Sequence, residues 1–388
     1  MIENENIIWF SSVDWSHVPI IEKYVPSLLA RRNKILFVET IGTRPPALNL
    51  IHFRRIKQRI ISWFKGVKEI TLPEGRGCLL IYSPLLIPGW FPFINSINKW
   101  LLNRRIKRLI KKFNLFNPIL WFLLPTPEFL IGKLDEKLAV YSCIDEWSTY
   151  PGGGSKNLQM AEENLLKKSN IVFAASQPLL DKKRRFNHNT YYMPHGSDFY
   201  HFNNAGSTLD IPSDIAVIKR PVLGITGAVA VWMDWDLIRH IAEIHPDWSL
   251  VFLGEVSYNV DIGPVKNIRN VHFLGRKKYD ELPAYYQAID VFIIPFMLTD
   301  HIKYCNPTRL YEYLSNGKPV VSADFSSARE IPGNLIKIAR TKEEWIKLIE
   351  QSLKEDRPEL IGQRKQLACQ NTWEHRVEQM SELIKKYR

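Results

Sequence analysis

The chain has 388 residues, of which 45% are hydrophobic and 24% are charged, so the sequence predicts two globular domains and excludes a mainly disordered protein. Its four cysteines lie far apart, which excludes a C-x-x-C metal pair and a compact disulfide framework and favours reduced thiols in a cytoplasm. The formal net charge of +12 comes from residues 1–190, where 28 Lys and Arg outnumber 15 Asp and Glu.

The N-terminal half alternates strand-like and helix-like segments. Its acidic and polar start, MIENENIIWF, does not resemble a secretory signal. A helix is expected around VPIIEKYVPSLLARR and another over 157–169. Strands are expected at IIWFSS, KILFVET, CLLIYSP, ILWFLLP, LAVYSCID and IVFAASQ. This order is typical of an α/β sheet, whose functional loops follow the carboxyl ends of its strands.

The segment 77–113 predicts a strand, a Pro-rich loop and an amphipathic helix. Residues 77–98 carry no charge, but Pro84, Pro88 and Pro92 favour a strand and a loop over a membrane-spanning helix. In the following helix, INKWLLNRRIKRLIKKF, apolar residues repeat at helical spacing and cations crowd the other positions.

This basic region predicts contact with an anionic membrane surface. Residues 53–112 hold 14 basic and 2 acidic side chains, and the helix has aromatic neighbours that suit the lipid interface. Alternatively, the apolar stripe packs in the domain core, and both interpretations can hold because they use different faces. The residues expected at the membrane are Trp90, Phe91, Trp100, Arg104, Arg105, Lys107, Arg108, Lys111 and Lys112.

Two adjacent carboxylates, Asp145 and Glu146, follow the expected strand LAVYSCID and precede a glycine-rich segment. At the carboxyl end of a strand they would face a ligand cleft. A carboxylate placed there could act as a general base that takes a proton from a substrate hydroxyl, and Asp145 is the candidate for that role. An equally supported alternative is that these carboxylates cap the following turn.

A second α/β series begins after the connector MPHGSDFYHF at 193–202. Its expected strands are VLGITG, SLVFLGE, NVHFLG, DVFIIPF and PVVSA, with helices between them. The sequence therefore predicts two doubly wound domains with ligands in the cleft between them.

The segment before PVVSA predicts a short helix with signals at both ends. Asn306 is a candidate N-cap, Pro307 suits the first turn, and Gly317 suits a left-handed C-terminus. Arg309 and Glu312 share one face beside the positive end of the helix dipole. The N–H groups and Arg309 could hold a diphosphate, and Glu312 could accept hydrogen bonds from a ribose. The alternative is an ordinary ion pair on the helix surface.

This segment resembles the donor-binding segment of GT-B glycosyltransferases. The stretch EYLSNGKPVV, 312–321, matches the end of the family pattern, and NPTRLYEYL, 306–314, is similar to a variant of bacterial polysaccharide glycosyltransferases. The first Glu of the wider family pattern is Tyr304 here, which leaves the sugar and the retaining mechanism open. The substrate-binding residues that the resemblance implies in this segment are Pro307, Thr308, Arg309, Leu310 and Glu312.

The resemblance covers nearly the whole chain and implies an α/β protein of the GT-B fold, with two doubly wound Rossmann-like domains that face an interdomain cleft. It implies an acceptor-side, membrane-facing domain at 1–192, a donor domain at 193–365 and a C-terminal helix at 366–388 that crosses back. It also implies a nucleotide diphosphate sugar donor, with UDP favoured. Tyr141–Glu146 look like the Y-x-C-x-D-[DE] element of the same bacterial group.

Other candidate residues follow expected strands or the connector. Gly227, in GITGA, lets a phosphate approach the backbone, although this turn is a weak signal by itself. Gly275 and Arg276 end another strand and could contact the nucleotide, and a solvated basic turn is as well supported for Arg276. His195 lies on the connector, where a hinge or capping role is better supported. Asp14 matches an acceptor-side loop of similar transferases.

The segment Asp234–Trp235–Asp236 spells a D-x-D pattern, but two acids at a helix start are explained by capping and the helix dipole. We therefore expect no metal ion and no cofactor.

Together these features predict a cytoplasmic glycosyltransferase, peripheral at the membrane, that transfers a sugar to a lipid-linked or growing surface glycan. Three alternatives remain at this stage: a sugar-nucleotide epimerase or hydrolase of the same fold, a catalytically silent sugar-nucleotide binder, and a nucleic-acid-binding protein. No RNA- or DNA-recognition motif accompanies the basic region, so no nucleic-acid partner is expected.

Overall fold

The computed structural model describes residues 1–16, 21–40, 66–70, 77–85, 92–149, 154–203, 209–354 and 357–388. These residues divide into two compact units, one formed by Met1–Pro194 with Arg376–Arg388 and the other by His195–His375. Each unit has its own sheet.

In the first unit the described residues form a sheet of eight strands. They are β1 (Asn6–Phe10), β2 (Lys34–Val38), β3 (Lys68–Ile70), β4 (Cys78–Tyr82), β5 (Ile119–Phe122), β6 (Leu138–Cys143), β7 (Ile171–Ala174) and β8 (Thr190–Tyr192). Among the described residues their order is β3-β4-β2-β1-β5-β6-β7-β8, and only β3 runs antiparallel to its neighbour. The central strands are continuous apolar runs because both faces of a parallel sheet are covered.

Four α-helices lie in the described residues of this unit's main segment. Ser155 and Ser176 cap two of them by accepting the N–H groups of Leu158 and Leu179. The helices are α1 (Ile21–Leu29), α2 (Pro92–Phe113), α3 (Lys156–Lys168) and α4 (Gln177–Lys183), with 3-10 turns at Glu128–Leu130 and Trp147–Thr149. The C-terminal residues pack on the same unit, since the hydroxyls of Tyr191 and Tyr387 are 2.6 Å apart.

The second unit is an all-parallel sheet with helices between its strands. The strands are β9 (Val222–Thr226), β10 (Ser249–Leu253), β11 (Val271–Phe273), β12 (Val291–Ile294), β13 (Val320–Ala323) and β14 (Lys337–Ala339). The helices are α5 (Phe199–Asn203), α6 (Ser213–Ala216), α7 (Trp235–Ile244), α8 (Gly263–Lys266), α9 (Leu282–Ala288), α10 (Asp300–Tyr304), α11 (Arg309–Asn316), α12 (Ser326–Arg329), α13 (Lys342–Lys354), α14 (Pro358–Cys369) and α15 (Trp373–Lys385), the last of which contributes residues to both units.

The strand order of the second sheet is β11-β10-β9-β12-β13-β14. The chain therefore reverses its direction of travel across the sheet between β9 and β12, which makes their carboxyl ends the switch point where ligands bind in such folds. Gly227 follows β9, and α11 follows β12, so two predicted donor-site segments lie at this switch point.

Each segment predicted to be a strand forms one, and three further strands among the described residues were not predicted. These are β3, β8 and β14, each of three residues, too short for an alternating or continuous apolar pattern to stand out. Among the described helices, none is long and apolar enough to cross a membrane.

Candidate functional site

The turn after β9 brings the backbone and Arg309 into close contact. Gly227 has a φ of +87°, and a Cβ atom placed on it would lie 2.5 Å from Arg309 Nη2. The neighbouring Gly254 leaves equally little room, since its Cβ would lie 1.8 Å from the carbonyl oxygen of Gly227. Glycine is required at both positions, and the guanidinium of Arg309 lies directly over the turn.

Two buried tyrosines hold this turn against α11. The hydroxyl of Tyr313 accepts the N–H of Thr226 at 3.0 Å, and the Thr226 hydroxyl lies 3.0 Å from Tyr313 Oη and 3.1 Å from Tyr286 Oη. Both tyrosines are fully buried. Sequence reasoning missed these three residues; the available signal was that buried tyrosine hydroxyls need polar partners.

The start of α11 differs from the prediction. Asn306 was expected to cap the helix, but its amide oxygen accepts the N–H of His195 at 3.2 Å and its Nδ2 donates to Ser327 Oγ at 3.1 Å. The cap position falls on Thr308 instead. The N-cap prediction for Asn306 was therefore wrong, because contacts distant in sequence use both ends of its amide. At the other end Gly317 adopts the predicted left-handed conformation, with φ 81°.

Arg309 and Glu312 lie close together at the switch point, and both are half-buried. The Arg309 guanidinium lies 5.3 Å from the centre of the Phe296 ring. Burial raises the pKa of Glu312 to about 7, although the charge of Arg309 and a hydrogen bond from Thr308 oppose the shift. Among the described residues, the backbone N–H groups of Thr308 and Arg309 have no backbone acceptor outside the helix. The arrangement offers a cation, N–H donors and a titratable carboxyl beside a glycine turn.

The other donor-side candidates have varied surroundings. Pro307 and His195 are half-buried near the start of α11, whereas the side chain of Leu310 packs in the hydrophobic core. Gly275 has a φ of +70° with open space around its Cα, and Arg276 is exposed beside it. Any substrate contact through Leu310 would therefore have to involve its backbone.

The acceptor-side candidates lie in the first unit. Asp14 follows β1 and is half-buried. Asp145 is half-buried between β6 and a 3-10 turn, at the carboxyl end of its strand as predicted. Glu146 differs sharply, because it is buried and forms ion pairs with Lys183 at 2.9 Å and Lys182 at 3.1 Å. Its other oxygen accepts hydrogen bonds from Ser148, so the capping alternative is correct for Glu146.

Helix α2 divides its residues between the core and solvent. Leu102, Ile106 and Leu109 are buried, as the amphipathic pattern predicted, and Arg105 turns toward the ring of Tyr82 at 5.7 Å. Trp90 and Phe91 lie outside the described residues. The remaining predicted membrane residues are exposed: Trp100, Arg104, Lys107, Arg108, Lys111 and Lys112.

The D-x-D segment lies at the start of α7 and caps it. Asp234 accepts the N–H of Leu237 at 2.9 Å, so it is the N-cap of that helix, and Asp236 pairs with Lys342. Within the described ranges no group of three His, Cys, Asp or Glu side chains is placed to hold a metal ion.

Residues 220–355 match a family model described as Glycosyl transferases group 1. The matched segment covers about a third of the chain and is called the group 1 domain after that model. It contains the glycine turn, α11 and the whole second sheet, so Gly227, Arg309 and Glu312 all belong to the group 1 domain.

One curated relative is similar in sequence to part of the chain. TuaH of Bacillus subtilis (strain 168), named as a teichuronic acid biosynthesis glycosyltransferase, is 24% identical over 225 residues, which are 55% of this chain and 57% of TuaH. The chain thus spans a little over half the length of that curated relative.

Solved structures match over nearly their full length. Anabaena HepE in complex with UDP and glucose has a TM-score of 0.67 at 13% identity, covering 98% of this chain and 100% of that one. A sucrose-phosphate synthase from Thermosynechococcus elongatus has a TM-score of 0.68 at 15% identity, covering 99% of both chains. The protein therefore has the predicted GT-B fold, with the group 1 domain as its second Rossmann-like unit.

Proposed function

We propose that this protein is a glycosyltransferase that takes a sugar from a nucleotide diphosphate donor, with UDP favoured. The observation that carries the proposal is the placement of Arg309 over the Gly227 turn at the switch point, beside Glu312. HepE, which shares the fold, was solved with UDP and glucose.

The chemistry of the site suits a diphosphate. Arg309 and the N–H groups at the start of α11 would bind its oxygens, and the glycine turn lets those oxygens approach the backbone. Glu312 in its ionised form would accept hydrogen bonds from the ribose. In the reaction, Arg309 and the helix N-terminus would stabilise the charge that develops on the leaving diphosphate, so the proposal includes no metal ion or cofactor.

Asp145 is the proposed base of an inverting transfer. Its carboxylate would take the proton of the acceptor hydroxyl as that oxygen attacks the anomeric carbon. Asp145→Asn keeps the shape and removes the basicity, so turnover is expected to fall about 10²- to 10⁴-fold while donor affinity changes little. A product that retains the anomeric configuration of the donor would contradict this assignment.

A lipid-linked or growing surface glycan is the proposed acceptor, and the exposed side of α2 is the proposed membrane contact. We call this exposed side of α2 the docking face. Its residues lie three or four positions apart along the helix, with apolar residues first and cations after them: Phe93, Ile97, Trp100, Arg104, Lys107 and Lys111. Phe93 is 62% and Trp100 55% exposed, which is unusual for aromatic side chains on a solvated helix. Aromatic rings beside cations suit an anionic lipid interface, so we propose a peripheral location on the cytoplasmic side.

The function is tested by two measurements in sequence. A panel of nucleotide sugars is first screened for ligands that raise the unfolding temperature, and the best ligand is then incubated with lipid-linked acceptors. We expect stabilisation by UDP-sugars and transfer of the labelled sugar to lipid. If no nucleotide sugar stabilises the protein, the proposed function is wrong.

A further inference from the structure

The first unit contains a buried charge cluster directly behind the loop that carries Asp145. Lys183, the last residue of α4, forms ion pairs in which its Nζ lies 2.9 Å from Glu146 Oε2 and 2.7 Å from Glu162 Oε1. The side chain of Lys183 is 3% exposed, that of Glu146 2% and that of Glu162 7%. Here three ionic groups from α4, α3 and the loop after β6 meet in the interior.

The cluster holds the Asp145 loop on both sides. Glu146, the next residue, is fixed by Lys183, and Trp147 Nε1 donates to Tyr141 Oη at 3.1 Å. Tyr141 Oη donates in turn to Glu162 Oε1 at 3.0 Å, so the second route also ends at the carboxylate that Lys183 binds. On the preceding side, the thiol of Cys143 lies 3.5 Å from the carbonyl oxygen of Asp145.

Stability alone does not account for such a cluster. Buried ion pairs lose so much hydration that apolar side chains of similar volume are often at least as stabilising. Burial alone would raise the pKa of Glu146, but Lys183 and Ser148 lower it, so this carboxylate is ionised at neutral pH. The ionic cluster instead holds the loop in one conformation, because charge-assisted contacts are strong and depend on direction.

We propose that Lys183 is a positioning residue, which holds the loop of residues 145–149 through Glu146 and Glu162 and so fixes Asp145 in its working geometry. This inference rests on the proposed function for its catalytic consequence, whereas its structural consequence can be measured without any reaction. A displacement of about 1 Å in a catalytic group can reduce turnover roughly hundredfold.

The first test measures the loop directly by amide hydrogen exchange. In Lys183→Met we expect faster exchange across residues 146–149, with the exchange of the group 1 domain unchanged. The neighbouring lysine provides a matched control, because Lys182 contacts the same carboxylate at 3.1 Å but is 39% exposed. Lys182→Met is expected to disturb the loop less. Unchanged exchange of the loop in folded Lys183→Met would overturn the proposal.

The second test is a double-mutant cycle on turnover. If Lys183 acts through Asp145, Lys183→Met lowers kcat roughly hundredfold in the parent, with donor affinity unchanged, and has little further effect in Asp145→Asn. A general structural role would lower turnover equally in both backgrounds, and that result would also overturn the proposal. Absence of transfer by the parent protein would count against the proposed function alone, since the exchange measurement still applies.

A further variant covers the case in which Lys183→Met does not fold. Glu162→Gln combined with Lys183→Met removes the opposite charges together and leaves Glu146 with Lys182, so no single buried charge loses all its partners. This variant is expected to fold, to bind the donor and to show a mobile loop with reduced kcat. Parental kcat and parental loop exchange in this variant would contradict the positioning role.

Discussion

Neighbouring groups determine where the Arg309 guanidinium lies and at what pH the Glu312 carboxyl titrates. The Arg309 guanidinium lies over a residue with no side chain, Gly227, and packs against the ring of Phe296. Glu312 is on the same helix face, where loss of water raises the pKa of its carboxyl to about 7. The sequence predicted both residues as ligands, but the titration of Glu312 near neutral pH follows from burial, which only the fold determines.

Replacing Arg309 by Ala is expected to weaken UDP-sugar binding about 10- to 100-fold, because a charge-assisted hydrogen bond contributes about 1.5–3 kcal/mol. Arg309→Lys should restore only part of the affinity, since Lys lacks the planar fork that binds two phosphate oxygens. Calorimetric titration provides the measurement. Arg269→Ala, an exposed arginine just before the amino end of β11, is the matched control and should bind as the parent does.

Glu312 makes donor binding dependent on pH. Its pKa lies above the usual 4.5, so the carboxylate that accepts ribose hydroxyls forms only as the pH rises through about 7. Affinity for UDP-glucose should therefore increase about tenfold between about pH 6 and about pH 8. UDP-glucose is the suitable probe because its diphosphate does not titrate in this range. In Glu312→Gln the affinity should be lower at high pH and nearly constant; an unchanged pH profile would exclude Glu312 as its source.

The same shift affects stability with the opposite sign. The folded protein holds the Glu312 proton more tightly than the unfolded chain, so this group lowers the stability as pH rises from about 4.5 to about 7. Glu312→Gln removes that contribution. We expect the ligand-free variant to unfold at a higher temperature than the parent at neutral pH, and to lose this advantage in acid. Thermal scans across pH, without nucleotide, test the expectation.

At the scale of elements, α11 is fixed at its far end by a buried arginine. Arg364 of α14 is 2% exposed and donates to the carbonyl oxygens of Gly317 at 3.2 Å and Leu335 at 3.0 Å. A cation at a helix C-terminus also complements the helix dipole. Together with the hydrogen bonds between Thr226 and Tyr313, this contact sets where the N-terminus of α11 points.

Helix α2 packs an apolar stripe into the core on one side and exposes the docking face on the other. Replacing Arg104, Lys107 and Lys111 by Gln should weaken binding to anionic vesicles on the order of hundredfold, because each cation near such a surface contributes about 1 kcal/mol. Vesicle sedimentation at low salt measures this loss. Phe93→Ala with Trp100→Ala should weaken binding at all salt concentrations, since the apolar contribution is not screened.

A matched control for the α2 variant removes three exposed cations elsewhere, by Lys266→Gln, Arg269→Gln and Lys347→Gln. The net charge of the protein changes by the same amount in both variants. Equal loss of vesicle binding in the two would show that overall charge, rather than the docking face, is responsible.

At the scale of the whole molecule, each of the two units has its own sheet. The first unit is predicted to bind the acceptor and the second to bind the donor. UDP-glucose should slow amide exchange at residues 226–229 and 306–312, because both segments border the switch point of the second sheet. The buried cluster around Lys183, in the first unit, should keep its exchange rates. Protection confined to the first unit would contradict the placement of the donor in the group 1 domain.

The sequence alone determined the α/β alternation, because long apolar runs and helical periodicity are local signals that a single segment carries. It also predicted Gly317 as a left-handed helix end and Arg309 and Glu312 as neighbours on one helix face, since both follow from spacing within a few residues.

The tertiary structure decided whatever depends on partners far apart in the chain. Asn306 has the composition of a helix cap, yet His195 and Ser327 use its amide, 111 and 21 residues away. Thr226 is held by Tyr313, 87 residues later, and Glu146 is bound by Lys183 in the interior. No local pattern encodes these pairs, because side-chain hydrogen bonds and ion pairs form only where folding brings the two partners together in a space from which water is excluded.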